Sequence, residues 1–172
     1  LNENLQGKTL LELGTGSGVI SISIAQENKD CFIYATDISI KSILVAKQNA
    51  AKFFCENIIF LNHDWNNEWL FPQVDYLISN PPYVDKEATT GREEGIWFEP
   101  EKALFSKDRG LSDLKSILSK GKNFLTENGK VYLEHAPDQY EELNKFAEEN
   151  GYLNFSNLND LNGDKRVSIY QC

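Results

Sequence analysis

Long hydrophobic runs are missing from this chain: none of its apolar stretches approaches the ~20 residues a membrane-spanning helix needs, and no basic, apolar, small-residue signal pattern opens it. A soluble protein of the cytoplasm with no membrane partner is the expectation. Cysteine is scarce. The three present, Cys31, Cys55 and Cys172, stand far apart without C-x-x-C spacing, which argues against a disulfide scaffold or a zinc ribbon and fits reduced thiols. The two histidines, His63 and His135, are equally isolated, so no metal site is expected. Positive charge is also in deficit, 17 Lys and Arg against 26 Asp and Glu for a net charge of −9, and a surface of that sign repels a phosphate backbone. Nucleic acid is therefore a disfavoured partner. Methionine is absent altogether and the chain opens on Leu1, so an upstream segment is expected to be missing.

What is present is enough for one packed domain over residues 1–172: 41% hydrophobic residues, with 10 Phe, 7 Tyr and 3 Trp. A chain of this length buries roughly 70% of its unfolded surface without help from disulfides. The apolar residues come in short runs that alternate in period. Thr9 to Leu13 reads as a strand that stops at Gly14, and Val19, Ile20, Ile22, Ile24 and Ala25 follow as a largely buried helix. Cys31 to Thr36 is a second strand ending at Asp37, with a helix from Ile40 through Ala51. Ile58–Leu61 and Val74–Ile78 give two more strands. A helix is predicted from Leu111 to Leu125, closed by Glu127-Asn128-Gly129, then a fifth strand at Val131–Leu133 and a helix around Tyr140, Leu143, Phe146 and Ala147 that ends at Asn150-Gly151. Tyr152–Phe155 and Val167–Tyr170, joined through Asn162-Gly163-Asp164, are expected to pair antiparallel. Alternating strands and helices imply an α/β fold with a mostly parallel sheet covered on both faces and an antiparallel C-terminal hairpin.

Two stretches carry chemistry. Gly14-Thr15-Gly16-Ser17-Gly18 lies at a strand-to-helix turn, where glycines permit positive φ and let a ligand approach the backbone. Asp37, 23 residues after Gly14, stands at about the offset of the acid that accepts ribose hydroxyls in nucleotide-binding α/β folds, which points to an adenosine-containing cofactor. A dinucleotide fingerprint would place its third glycine at position 19, where this chain has Val, so NAD is only the second choice. The other stretch, Ser79-Asn80-Pro81-Pro82-Tyr83, follows the fourth strand, at the carboxyl edge where ligands of open α/β sheets bind. The Asn80 side-chain oxygen and the Pro81 carbonyl offer two acceptors to a planar NH2 group, the prolines hold their directions, and Tyr83 supplies an aromatic face.

Glu12-Leu13 followed by G-x-G-x-G resembles motif I of the S-adenosylmethionine-dependent methyltransferases, and Asn-Pro-Pro-Tyr resembles the acceptor motif of those that methylate amino groups. Further features narrow the likeness to the HemK/PrmC family of protein-(glutamine-N5) methyltransferases, which modify class 1 peptide chain release factors. They are Asp64-Trp65, Phe98-Glu99-Pro100 with Ala103-Leu104-Phe105, Gly110-Leu111, Leu133-Glu134-His135, Gln139, and Asp160 with Arg166-Val167. The resemblance implies a Rossmann-like class I methyltransferase fold, S-adenosylmethionine as cofactor with S-adenosylhomocysteine as product, and a release factor as protein substrate. It places the cofactor at Gly14, Thr15, Gly16, Ser17, Gly18, Asp37, Asp64, Trp65 and Asn80. It gives catalytic roles to Asn80, Pro81 and Tyr83, and binding of the glutamine to Asn80, Pro81, Pro82, Tyr83, Glu99 and Pro100. The family's helical N-terminal domain and its Pro-Arg-Pro-x-Thr-Glu segment have no counterpart before the first strand, so a catalytic domain alone is expected. Two alternatives stand beside this one: an adenine-N6 or guanine-N2 methyltransferase of nucleic acid, and a module that binds the cofactor without turnover. The stretch from Asp85 to Arg109, rich in charge and glycine, is expected to form a mobile cover beside the acceptor.

Overall fold

The computed structural model describes residues 3–85 and 105–172. Glu99 and Pro100, and nearly all of the expected cover, lie outside the described residues. Strands β1 (Thr9–Leu13), β2 (Phe32–Asp37), β3 (Ile58–Asn62), β4 (Val74–Ser79), β7 (Leu125–Glu134), β8 (Leu153–Asn159) and β9 (Lys165–Gln171) join in one seven-stranded sheet of order β3-β2-β1-β4-β7-β9-β8, beside a small parallel pair of β5 (Val84–Asp85) and β6 (Phe105–Ser106). Contacts divide the chain into two units, Leu1–Ser79 with Asn123–Lys130, and Asn80–Lys122 with Val131–Cys172.

The first unit carries β1 (Thr9–Leu13), α1 (Val19–Glu27), β2 (Phe32–Asp37), α2 (Ile40–Lys52), β3 (Ile58–Asn62) and β4 (Val74–Ser79). All their ladders are parallel, with Leu13 opposite both Thr36 and Ser79. Strands buried on both faces read as unbroken apolar runs, which is why Leu10, Leu11, Leu13, Ile33 and Leu77 are almost wholly shielded. Each such side chain contributes about 1.5–3 kcal/mol of burial. At the sheet's edge β3 leaves Ile59 and Leu61 partly in solvent. The start of β1 is pinned by Asp75, which accepts from Lys8 Nζ at 2.8 Å and from the Thr9 N–H at 2.9 Å. Burial alone would raise the Asp75 pKa, but these donors outweigh it and hold the carboxyl below its usual range. Helix α1 departs from the expected burial: Val19 is 65% exposed, and only Ser21, Ile22 and Ala25 face inward.

The second unit carries α3 (Ser112–Gly121), α4 (Tyr140–Glu149) and the antiparallel pair β8 (Leu153–Asn159) and β9 (Lys165–Gln171). Its core gathers Leu114, Ile117, Leu118, Leu143 and Ala147 with Tyr152 and Tyr170, whose hydroxyls donate to Leu118 O and Asn144 Oδ1. Lys122 donates to the Asn150 and Gly151 carbonyls at the end of α4, where cationic donors satisfy the free carbonyls. The hairpin turn is organised by Asp160, whose Oδ1 accepts the N–H groups of Asn162 and Asp164. The predicted end of the preceding helix needs correction. Helix α3 stops at Gly121, a 3-10 turn covers Lys122–Phe124, and β7 runs from Leu125 to Glu134. Asn128 does take a positive φ of 65°, but it marks a sharp turn within extended chain, where a Cβ on Gly129 would lie 2.9 Å from both Leu125 Cβ and Thr126 O.

His135, just after β7 and fully shielded from solvent, donates from Nδ1 to the Ala136 carbonyl, which can only accept, and shares a hydrogen bond with the Ser168 hydroxyl through Nε2, both at 2.8 Å. Burial lowers its pKa, the Ala136 hydrogen bond opposes this, Arg166 reinforces it, and Glu134 and Asp138 pull the other way. The unfolded chain therefore takes up the proton more readily. Stability should fall as pH drops below about 6.5, and His135→Gln should flatten that dependence; urea midpoints measured from about pH 7.5 to 5.5 check it, and parallel slopes for the two proteins would contradict it.

Candidate active site

The glycine turn between β1 and α1 rests on a buried acid. Glu12, 2% exposed in an otherwise apolar strand, accepts from Thr15 Oγ1 at 2.7 Å, from the Ser21 N–H at 3.2 Å and from the Ser21 hydroxyl. Burial pushes its pKa up, while the donors from Ser21 and Thr15 favour the ionised form. One carboxylate thus ties the loop to the first turn of α1. Above it Gly14, Gly16 and Gly18 all have positive φ, 74°, 57° and 85°. At Gly18 the reason is also space, since a Cβ would sit 3.0 Å from Ala46 Cβ on α2. Nothing lies within 4 Å of the place a Cβ would take on Gly16, so the backbone is open there. Thr15 is turned inward to Glu12, leaving only its main chain to the loop surface, and Ser17 is exposed with its carbonyl held by Asn49 Nδ2.

Asp37, at the end of β2, joins this loop. Its Oδ2 accepts the Gly16 N–H at 2.9 Å and its Oδ1 accepts the Ser39 N–H at 2.8 Å, which leaves acceptor capacity on both oxygens. Asn62 on β3 fixes the neighbouring main chain by donating to the Asp37 and Ile38 carbonyls. The half-buried Trp65 places its ring edge against Gly14, 3.3 Å from where a Cβ would be. Asp64 accepts the Asn66 N–H and opens the turn that carries Trp65. The structure therefore brings Gly14, Gly16, Asp37 and Trp65 together, and these groups fit an adenosine-bearing ligand: open backbone, a carboxylate with spare lone pairs, and an aromatic ring.

In the second unit Asn80 leaves the last residue of β4 with its side chain exposed, while Pro81 and Pro82 are buried. Tyr83 is held at several points. Its hydroxyl donates to Glu134 Oε1 at 2.9 Å, its carbonyl accepts from Gln139 Nε2 at 2.8 Å, and the Arg166 guanidinium lies 5.8 Å from its ring centroid. Glu134 and His135 bind different groups, Glu134 the Tyr83 hydroxyl and His135 the Ala136 carbonyl and the Ser168 hydroxyl. Two residues escaped the sequence reading in any structural role. Glu12 was signalled by being the one charge within Thr9–Leu13; for Gln139 no local signal exists, because its partners lie far away in the chain.

The methyltransferase domain family matches residues 4–170. The chain belongs to that family. It is 34% identical over 165 residues to the release factor glutamine methyltransferase of Aliivibrio fischeri, covering 95% of this chain and 58% of that relative. It is 37% identical over 166 residues to a bifunctional methyltransferase of Rickettsia bellii, covering 95% of this chain and 30% of the relative. The chain thus spans a little over half the length of the first of these. A methyltransferase of Pyrococcus furiosus superposes with a TM-score of 0.72 at 18% identity, over 98% of this chain and 77% of that one, which bears out the Rossmann-like methyltransferase fold.

Glu12→Ala would strand the Thr15 and Ser21 donors in the interior, and a buried group left unpaired costs about 1–3 kcal/mol. The variant should melt at a distinctly lower temperature, with faster amide exchange across Gly14–Gly18; an unchanged melting temperature would show that Glu12 does not hold the turn.

Proposed function

We propose that this chain is the catalytic part of an S-adenosylmethionine-dependent methyltransferase that methylates the side-chain amide nitrogen, N5, of a glutamine in a class 1 peptide chain release factor, in the cytoplasm. The observation that carries the reading is the turn after β4: an exposed Asn80 carboxamide, two buried prolines and a Tyr83 fixed through its hydroxyl and its carbonyl. The names of the curated relatives support the choice of acceptor.

When bound, S-adenosylmethionine supplies a methyl group activated by its sulfonium. The backbone of Gly14–Gly18 and the ring of Trp65 flank the ligand, and Asp37 takes the ribose hydroxyls on the lone pairs that Gly16 and Ser39 leave free. Asp64 supports Trp65 from the turn it opens. A carboxamide nitrogen is a poor nucleophile because its lone pair is delocalised into the carbonyl. Asn80 Oδ1 and the Pro81 carbonyl accept its two N–H groups, which orients the nitrogen and favours pyramidal geometry as charge builds up. Pro82 stiffens the turn, and the Tyr83 ring offers a flat face to the amide. No base has to remove a proton before attack, so the residues act by position and by hydrogen bonding.

Two substitutions test the cofactor loop and the acceptor turn separately. Asp37→Ala should weaken S-adenosylmethionine binding by about 1.5–3 kcal/mol, the range for hydrogen bonds to a charged group. Asn80→Ala should change that affinity only modestly but slow methyl transfer by about 10²–10³, as loss of a single transition-state hydrogen-bonding group does. Calorimetry and initial rates on the full-length enzyme measure both. Unaltered binding in the first variant or near-normal rates in the second would overturn the assignment.

A further inference from the structure

Gln139 is 5% exposed and lies in the 3-10 turn Pro137–Gln139 that leads into α4. Its Oε1 accepts the Ala136 N–H at 2.9 Å, which fixes the orientation of the amide. The Nε2 group then meets two carbonyls, Tyr83 O at 2.8 Å and Arg109 O at 2.9 Å. Both donors and one acceptor are thereby used, and the flipped amide would set oxygen against two carbonyl oxygens and NH2 against an N–H. Gly110 packs onto the same spot. Its φ is +82°, and a Cβ there would collide with the Tyr83 carbonyl and with the Gln139 amide, so no side chain can come between. Three stretches distant in sequence, the turn after Tyr83, the turn 107–110 and the lead into α4, converge on one carboxamide.

We propose that Gln139 is a positioning residue for methyl transfer: its clamp on the Tyr83 and Arg109 carbonyls holds the Asn80–Tyr83 turn in the geometry that receives the acceptor amide. The inference rests on the reading of Asn80 to Tyr83 as the acceptor site. Gln139 itself need touch neither reactant. Pro81 and Pro82 have fixed φ, so the peptide planes between Asn80 and Tyr83 have few ways to absorb a shift of the Tyr83 carbonyl, and movement there passes to the Pro81 carbonyl and Asn80. The Tyr83 hydroxyl is anchored to Glu134 and its carbonyl to Gln139, so the residue is held at both ends. A Glu at 139 would keep the bond from Ala136 N but lose both donors, and a Met would keep the volume and lose every hydrogen bond.

The test compares full-length wild type, Gln139→Glu, Gln139→Met and Asn80→Ala, with a class 1 release factor as acceptor, and reads acceptor kcat and KM, S-adenosylmethionine affinity by calorimetry, and melting temperature. Both Gln139 variants should lose about tenfold to a hundredfold in kcat, the scale expected of a small misplacement of reacting groups, with cofactor affinity within about twofold. A purely structural role would instead lower melting temperature and cofactor affinity together and leave the kcat of the folded fraction unchanged, and that result would overturn the proposal. If Asn80→Ala is inactive while the Gln139 variants keep wild-type kinetics, the acceptor site stands and the clamp is refuted; if Asn80→Ala is fully active, the acceptor site itself fails and the clamp with it. Should neither Gln139 variant fold, the wild type decides. Its Gln139 side-chain NH2 resonances should shift on binding a glutamine-containing release factor peptide and stay still with a Gln-to-Ala peptide, and no difference between the two would refute the clamp.

Discussion

Between Leu13 and Val19 the main chain must reverse out of a buried strand and enter a helix, all in five residues. Glycines make the dihedral angles accessible, but they do not choose one conformation; a chain of three glycines is entropically free to take many. The choice is made from below. Glu12 reaches up from β1 to Thr15 in the turn and Ser21 in α1, and Asp37 reaches across from β2 to Gly16. Two carboxylates, one deep and one at the surface, hold the loop from opposite sides. The deep one is expensive to bury, and its Oε2 takes three hydrogen bonds, while the surface one keeps lone pairs to spare.

The turn after β4 follows a different logic. Here stiffness comes from covalent structure, two consecutive prolines, and the polar anchors sit at the far end on Tyr83. Asn80 directly follows the strand terminus, where Ser79 Oγ donates to the Leu13 carbonyl and ties β4 to β1. A rigid turn with one projecting carboxamide suits recognition of a group whose geometry must be set before reaction, since donors and acceptors that are already in place need no reorganisation as charge develops. Rigidity at Tyr83 and openness at Gly16 are thus complementary: one suits selecting a flat acceptor, the other admitting a ligand to the backbone.

Much of this was legible in the sequence because it is local. The strand Thr9–Leu13, the acid at the end of β2 and the Asn150-Gly151 stop all follow from periodicity and turn chemistry within a few residues. The glycine turn and the proline turn at Asn80 to Tyr83 were placed correctly for the same reason: each is set by consecutive residues. Errors arose where distant packing decides. Asn128-Gly129 carries the signature of a helix end yet turns extended chain, because Leu125 is buried and the helix has already stopped at Gly121. Val19 begins a helix that looked buried but faces outward. The pairing of β5 with β6 and the Gln139 clamp join segments tens of residues apart, and nothing in either segment alone announces the other.

The identity of the methylated group decides between a protein amide and a nucleobase as the acceptor. Tandem mass spectrometry of a class 1 release factor after reaction with the full-length enzyme and isotopically labelled S-adenosylmethionine reads that identity directly, with a Gln-to-Ala acceptor and a nucleic acid as the parallel substrates. One labelled methyl group on the side-chain amide of a single glutamine, lost with the alanine acceptor, is the expected result. Label on a nucleobase, or on the release factor at a site other than a glutamine amide, would contradict it.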